Sequence, residues 1–200
     1  MFSLNYEIDD VFKINEKEYK ANGNFDNILR IIDMLQESRL TKAYKYLLGL
    51  KMFFGDKTDL IELDSLSQEE IFHEVYHNYV EKQEEAIEYD LQGNPIDKNE
   101  GNKKQDYSLK HDAPYIYASF VQAYKIDLIE EQGKLHWFKF QALLEGLPED
   151  TKFRQVISYR TWKPSKGDSP KHKEQMRKLQ KLYRLPGTEN DIAEDEEEVD

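Results

Sequence analysis

The sequence has no cysteine, which excludes disulfide bonds and thiolate metal sites. It has no apolar run approaching the roughly 18 residues that a membrane-spanning helix requires. Its N-terminal stretch, MFSLNYEIDD, is acidic where a secretory signal would be basic and then continuously apolar. A Walker loop, a dinucleotide-binding glycine motif and a nucleophile elbow are also missing. We therefore expect a soluble protein that stays in the compartment where it is made.

The negative charge of the chain is concentrated at its C-terminal end. Residues 188–200 contain eight acidic and no basic side chains, within a formal net charge of −12. The remaining residues have 32 acidic against 28 basic side chains, a net charge of −4. We predict a disordered, solvated acidic tail at 188–200, with contact to a basic partner as the alternative. Nucleic-acid binding is disfavoured, because contact with phosphates needs a clustered basic surface.

Hydrophobic periodicity predicts a mainly α protein, a helical bundle of about six helices with a small N-terminal β-hairpin. Apolar and polar residues alternate on both sides of Asn15-Glu16-Lys17, which predicts the hairpin within Val11 to Ala21. Asn24, Asp112 and a capping box from Ser67 to Glu70 are predicted to begin helices. Helical spacing predicts the others at residues 41–54, at 134–145, around 153–157 and at 171–184.

The predicted organisation has four segments. Residues 1–85 contain the hairpin and the first helices, and residues 107–187 form a C-terminal helical region. Between them, residues 86–106 are polar, lack periodicity and are interrupted by glycine and proline, which predicts a flexible linker or long loop. The acidic tail at 188–200 is the fourth segment.

One motif indicates metal chemistry. His73-Glu74-Val75-Tyr76-His77 matches H-E-x-x-H, in which metallopeptidases bind Zn²⁺ with both histidines and use the glutamate as general base. On a helix, however, the apolar residues of this segment lie on one side, and His73, Glu74 and His77 lie away from them on the solvated face. No third ligand follows at the metzincin spacing.

We interpret these three residues as surface side chains, and a zinc metallopeptidase remains an alternative. His136, beside Trp137, is interpreted as a packed or interface residue rather than a catalytic base. The prediction is a protein that is not an enzyme, with no cofactor and no catalytic or metal-binding residue.

Aromatic residues recur at helical spacing within residues 107–160, where Gly133 and Gly146 interrupt the periodic segments. This stretch resembles the bacteriophage "gene product fifteen" family, and with a looser match of the hairpin and first helices the resemblance extends over residues 8–185. The family often has glycine in the hairpin turn, where this chain has Glu16. The residues that carry the motif, interpreted as core or partner-contacting, are Tyr117, Phe120, Tyr124, Ile126, Asp127, Leu128, Leu135, His136, Trp137, Phe138, Phe140, Leu144 and Arg160.

The resemblance implies a function. Members of this family are encoded in siphophages and prophages between the major tail protein and the tape-measure protein. That position implies a non-enzymatic tail assembly chaperone that binds the tape-measure protein, and other tail assembly proteins with it, in the host bacterial cytoplasm. Such a chaperone would be absent from the mature virion and would contact neither membrane nor nucleic acid; self-association stays open. The alternative is a structural head–tail or tail adaptor protein of the virion.

Overall fold

A computed structural model describes residues 3–81 and 106–186. The predicted linker, apart from Asp106, and the predicted tail lie outside the described residues. The chain divides into two compact units, the first comprising residues 1–100 and 129–143, the second residues 101–128 and 144–200. Residues 129–143 thus pack in the first unit, although they follow the linker in sequence. The predicted segment boundaries stay a prediction.

The fold is mainly α, with 57% of the described residues helical and a two-stranded antiparallel hairpin near the N-terminus, which confirms the predicted fold class. Within the described residues, a 3₁₀ turn at Asp59–Glu62 precedes the third helix and a π-helix at His77–Glu81 continues it. The hairpin strands and the seven α-helices are β1 Val11–Ile14, β2 Lys17–Lys20, α1 Phe25–Gln36, α2 Lys42–Phe54, α3 Ser65–Tyr76, α4 Ala113–Tyr124, α5 Trp137–Glu145, α6 Lys152–Thr161 and α7 Pro170–Tyr183.

The hairpin closes without glycine in its turn. Asn15 and Glu16 have φ values of 48° and 64°, the left-handed pair that a two-residue hairpin turn requires. Asparagine tolerates this conformation well, whereas at Glu16 it costs about 1–2 kcal/mol. The hairpin is anchored at Asp59, whose carboxylate accepts hydrogen bonds from Lys17 Nζ at 2.7 Å and Tyr19 Oη at 2.9 Å. These bonds hold β2 against the 3₁₀ turn.

The start of α3 differs from the prediction. The helix begins at Ser65, and its cap is Asp64, whose Oδ1 accepts the N–H groups of Leu66 at 3.0 Å and Ser67 at 3.2 Å. The predicted capping box from Ser67 to Glu70 is therefore wrong. A carboxylate forms stronger hydrogen bonds to the N–H groups of the first turn than a hydroxyl does, and the Ser67 hydroxyl itself donates to Asp64.

The start of α1 is as predicted, but its cap is not. The helix begins at Phe25, yet the side chain of Asn24 makes no capping hydrogen bond. Instead, the backbone of Asn24 forms an isolated antiparallel bridge with His136. The predicted helix at 134–145 begins only at Trp137, because residues 134–136 lead into this bridge.

The core of the first unit lies among α1, α2, α3 and the π-helix. Helices α2 and α3 pack closely at Gly49, where an added Cβ would overlap the ring of Phe72. The rings of Phe53 and Tyr79 stack with their centroids 5.6 Å apart. The side chains exposed by less than 2% in this unit include Ile28, Ile31, Leu50, Phe53, Phe72, Val75 and Tyr79.

The core of the second unit lies between α4 and α6. Phe120 and Val156 are fully buried, and the Ser119 hydroxyl, also buried, accepts the N–H of Phe153 at 3.0 Å. Helix α7 buries no residue completely and contacts the unit through Tyr183, whose ring stacks on that of Tyr159 with centroids 5.6 Å apart. No helix among the described residues has the length and hydropathy needed to span a bilayer.

We expect Gly49→Ala to lower the free energy of unfolding by about 1–3 kcal/mol, measured by urea denaturation, because the added methyl group forces Phe72 out of position. The effect opposes helix propensity, which favours alanine over glycine by about 1 kcal/mol. The matched control is Gly167→Ala, where the new methyl group would meet open space. Equal stability of both variants would contradict the close packing of α2 on α3.

Candidate functional site

The motif residues do not converge on one site. Most of them are buried in the core of their own unit. Tyr117 is exposed, and the half-buried members are Tyr124, Ile126, Asp127, Leu135 and Arg160. The buried members are Phe120, Leu128, His136, Trp137, Phe138, Phe140 and Leu144.

His136 lies in a stretch of backbone that pairs with the residues before α1. The N–H of Phe25 donates to the Leu135 carbonyl at 3.0 Å, and the N–H of Trp137 donates to the Gly23 carbonyl at 2.8 Å. This pairing joins residues that are more than a hundred positions apart in sequence. It brings the His136 ring to the N-terminal segment before β1.

The His136 imidazole uses both of its nitrogens. Nδ1 accepts the N–H of Phe138 at 3.1 Å, a capping bond at the start of α5. Nε2 therefore carries the hydrogen, and it donates to Asp10 Oδ1 at 2.9 Å. Tyr79 Oη donates to the same oxygen at 2.7 Å. With both nitrogens engaged, this ring offers no lone pair to a substrate, so the geometry supports a structural role.

Burial and hydrogen bonding determine the ionisation of this cluster. Burial raises the pKa of Asp10, but the hydrogen bonds from His136 and Tyr79 outweigh it, and the net pKa lies below the usual range of an aspartate. Burial, together with the hydrogen bond to Asp10, raises the pKa of the Tyr79 phenol. The favoured state is thus an ionised Asp10 facing a neutral phenol.

Two features hold Tyr79 and His136 around Asp10. The π-helix carries Tyr79, whose carbonyl accepts the indole N–H of Trp137 at 2.9 Å. Gly23 passes over the cluster so closely that an added Cβ would lie 2.5 Å from His136 Nε2 and 2.8 Å from Asp10 Oδ1. No local sequence pattern indicates Asp10, Gly23 or Tyr79 as partners of His136, because these contacts are all long-range.

A second buried cluster, in the other unit, is built on Arg160. Both terminal nitrogens of its guanidinium donate to the Asp112 carboxylate, Nη1 to Oδ2 at 2.6 Å and Nη2 to Oδ1 at 2.7 Å. Its Nε donates to the Tyr183 carbonyl at 2.6 Å. Arg160 thereby joins the start of α4 to the ends of α6 and α7. The side chains of Asp112 and Arg160 are 1% and 10% exposed, so this ion pair is largely shielded from water.

The predicted capping role of Asp112 is wrong. Helix α4 begins at Ala113, directly after Asp112, as predicted. The Asp112 side chain makes no capping bond to this helix. Its carboxylate binds Arg160 and accepts the N–H of Ser108 at 2.9 Å instead. A guanidinium fork is a stronger partner for a buried carboxylate than a backbone N–H.

Helix α4 presents an apolar stripe to solvent. Tyr117, Val121 and Tyr124 follow one another at i, i+4 and i+7 and so lie on one face. Tyr117 is 36% exposed, Val121 is 38% exposed and Tyr124 is half-buried. The Tyr117 hydroxyl donates to Asp127 Oδ2 at 2.9 Å, which orients its ring along the helix. We call these three residues the α4 stripe.

The H-E-x-x-H residues lie where the helical geometry predicts. His73, Glu74 and His77 are exposed, while Val75 is buried. His73 Nε2 lies 3.4 Å from the hydroxyl of Tyr46. Across residues 3–81 and 106–186, no three His, Asp or Glu side chains are grouped so that they could hold a metal ion.

Comparison with known families matches residues 4–185 to the family described as Bacteriophage Gp15 protein. The chain belongs to this family. The match spans both units and includes Asp10, His136, Asp112 and Arg160. Comparisons with curated proteins and with solved structures gave no match. The family identifies the chain as a bacteriophage protein, in agreement with the resemblance of its motif.

We expect Asp10→Asn to lower the free energy of unfolding at pH 7 by about 1–3 kcal/mol, because it weakens two partly buried charge-assisted hydrogen bonds. The pKa of Asp10 is lowered by folding, so its contribution is complete above the unfolded pKa near 4 and is lost as the pH falls through the lower folded pKa. The difference between wild type and variant should shrink below about pH 4, in urea titrations from pH 7 to pH 3.

The exposed Asp56→Asn is the matched control, and its effect should be small at every pH. A wild-type advantage over Asp10→Asn that stays constant down to pH 3 would contradict an ionised, hydrogen-bonded Asp10.

We expect Arg160→Met to destabilise the protein by about 3–5 kcal/mol, because the Asp112 carboxylate is left buried without its partner. Arg160→Lys should be intermediate, since an ammonium cannot reproduce the bidentate fork. Adding Asp112→Leu to Arg160→Met should restore part of the loss by removing the unpaired charge. Chemical denaturation of the three variants measures each effect.

The control for Arg160→Met is Arg154→Met. Arg154 Nη2 pairs with Glu149 Oε1 at 2.6 Å, but Glu149 is 77% exposed, so the loss should stay within about 1 kcal/mol. Similar losses in both variants would show that the burial of the Arg160 pair has no energetic effect.

Proposed function

We propose that this protein is a non-enzymatic tail assembly chaperone that binds the tape-measure protein during tail morphogenesis. The main observation behind this proposal is the match of residues 4–185 to the Bacteriophage Gp15 protein family. The resemblance to this family also implies a gene position next to the tape-measure gene, which supports a role in the same assembly step. In this proposal the protein acts in the cytoplasm of the host bacterium and leaves before the virion is complete.

The α4 stripe supports the proposal as a contact surface. An apolar helical partner is held through side chains at i, i+4 and i+7 spacing, and Tyr117, Val121 and Tyr124 have this spacing. The tyrosines combine a large apolar face with a polar hydroxyl, so they can lie in water when the partner is absent. A stripe of three partly exposed residues is small, which favours weak binding to each site along a long partner. Weak binding allows tail-tube subunits to displace the chaperone.

The buried residues of the motif have a different role in this proposal from the α4 stripe. His136 and Arg160 are committed to hydrogen bonds within their own units, and Trp137, Phe138 and Phe140 are buried. These residues maintain the folds of their own units. We therefore assign partner binding to Tyr117, Val121 and Tyr124, and structural support to the buried members of the motif.

Co-expression with the tape-measure protein of the same phage or prophage tests the proposal. We expect the wild-type chain to raise the soluble fraction of the tape-measure protein several-fold, measured by centrifugation and gel densitometry. Val121→Glu should abolish this gain, because it places a charge in the α4 stripe. Gln122→Glu, the adjacent exposed position outside the stripe, is the matched control and should retain the gain.

Thermal unfolding of both variants checks that the fold is intact. A tape-measure protein whose solubility does not respond to the wild-type chain would overturn the proposal. Mass spectrometry of purified particles separates the chaperone from a virion adaptor, since stoichiometric amounts in mature particles would indicate the adaptor.

A further inference from the structure

Helix α7 has one side that packs on its own unit and one side that is basic. Met176, Leu179 and Tyr183 are half-buried on the packed side. Gln180 Nε2 lies beside them and donates to the Trp162 carbonyl at 2.8 Å. The opposite side forms a shallow groove lined by Pro170, Lys173, Glu174, Arg177, Lys178 and Lys181. We call this side the α7 basic face.

The basic face is the most positive part of the chain that we find in the described residues. Residues 163–184 contain eight Lys and Arg against two acidic residues, within a chain of net charge −12. The single carboxylate of the face, Glu174, is neutralised by Lys178 at 2.6 Å. No carboxylate of the described residues lies within ion-pair distance of Lys173, Arg177 or Lys181. The face therefore has an excess of positive charge that the described part of the protein does not balance.

We propose that the α7 basic face binds the acidic segment of the same chain at residues 188–200. The segment has eight acidic and no basic side chains, and it follows α7 after four residues. The stretch 163–184, with eight Lys and Arg, and the acidic segment, with eight carboxylates, thus lie next to each other in the sequence. This contact is a property of the chain itself and does not depend on binding to a tape-measure protein.

The length of the segment is sufficient for it to return along the helix. Seventeen residues follow Tyr183, and an extended chain spans about 3.3 Å for each residue. Helix α7 has 14 residues and is about 21 Å long at a rise of 1.5 Å for each residue. The acidic residues can therefore turn back and reach Lys181, Arg177 and Lys173 in succession.

Tethering makes a weak contact effective. Exposed ion pairs contribute little individually. Covalent attachment through a short connection, however, gives an effective concentration in the millimolar range. Binding through many weak pairs needs no fixed conformation of the segment and is sensitive to salt. Its consequence is that the segment shields the basic face from other polyanions, such as nucleic acid in the infected cell.

Paramagnetic NMR tests the contact directly. The chain has no cysteine, so Val199→Cys provides a single site for a nitroxide label on the full-length protein. At about 20 mM salt we expect selective broadening of the amide signals from Lys173 to Lys181, and its loss at about 1 M salt. The amides of the first unit serve as the internal control and should keep their intensity.

Two outcomes of this measurement would overturn the proposal. One is the absence of selective broadening in α7 at low salt. The other is broadening only when the nitroxide is on a different molecule from the isotope label, which would indicate contact between two copies of the chain.

Heparin chromatography of full-length variants tests the shielding. In the first variant, glutamine and asparagine replace the five carboxylates at residues 194–198. In the matched control, glutamine replaces five exposed glutamates of the first unit, which are Glu7, Glu16, Glu18, Glu62 and Glu70. Both changes raise the net charge equally. We expect only the first variant to elute at clearly higher salt than wild type. Adding Lys173→Gln, Arg177→Gln and Lys181→Gln to the first variant should abolish this increase. Equal elution of the two variants would contradict shielding by the segment.

Discussion

The first unit depends on the partly buried carboxylate of Asp10, which accepts hydrogen bonds from two side chains that are distant in sequence. Tyr79 and His136 both donate to Oδ1, and His136 is 126 residues from Asp10. A partly buried carboxylate without hydrogen-bond donors would be unfavourable, so the two donors stabilise the ionised Asp10. The close approach of Gly23 follows from this arrangement, since any side chain there would occupy the space of the hydrogen bonds.

The second unit also has an aspartate carboxylate that accepts hydrogen bonds from distant side-chain donors, but its donor is an arginine. In the first unit neutral donors bind a carboxylate, whereas in the second a guanidinium binds Asp112 with two parallel hydrogen bonds. Arg160 also donates to the carbonyl of Tyr183, so one side chain links three helices. A planar group with five donors in fixed directions is suited to this task, and a lysine is not. The hydrogen-bonded cluster within each unit is thus polar, although most of the surrounding core is aromatic and aliphatic.

Because the buried motif residues are committed to the core, our proposals assign partner binding to exposed surfaces of the helices. The α4 stripe and the α7 basic face differ in chemistry, one apolar and aromatic, the other cationic. An apolar stripe binds by burying area, which suits a helical partner, while a charged face binds over a longer range and responds to salt. The two surfaces can therefore act independently, and neither uses a residue whose side chain is fully buried.

The sequence by itself determined the elements of the fold. Periodicity and local turn chemistry act over a few residues, and they predict the hairpin and the starts of α1 and α4. They also predict the exposure of His73, Glu74 and His77. What only the tertiary structure decided is the use of particular polar side chains. Asp112 and Asn24 were expected to cap helices, and the structure assigns the first to Arg160 and leaves the second without a capping bond. The side chains that donate to Asp10 lie 69 and 126 residues away, and 48 residues separate Asp112 from Arg160. No local pattern encodes a hydrogen bond that forms only after the chain has folded.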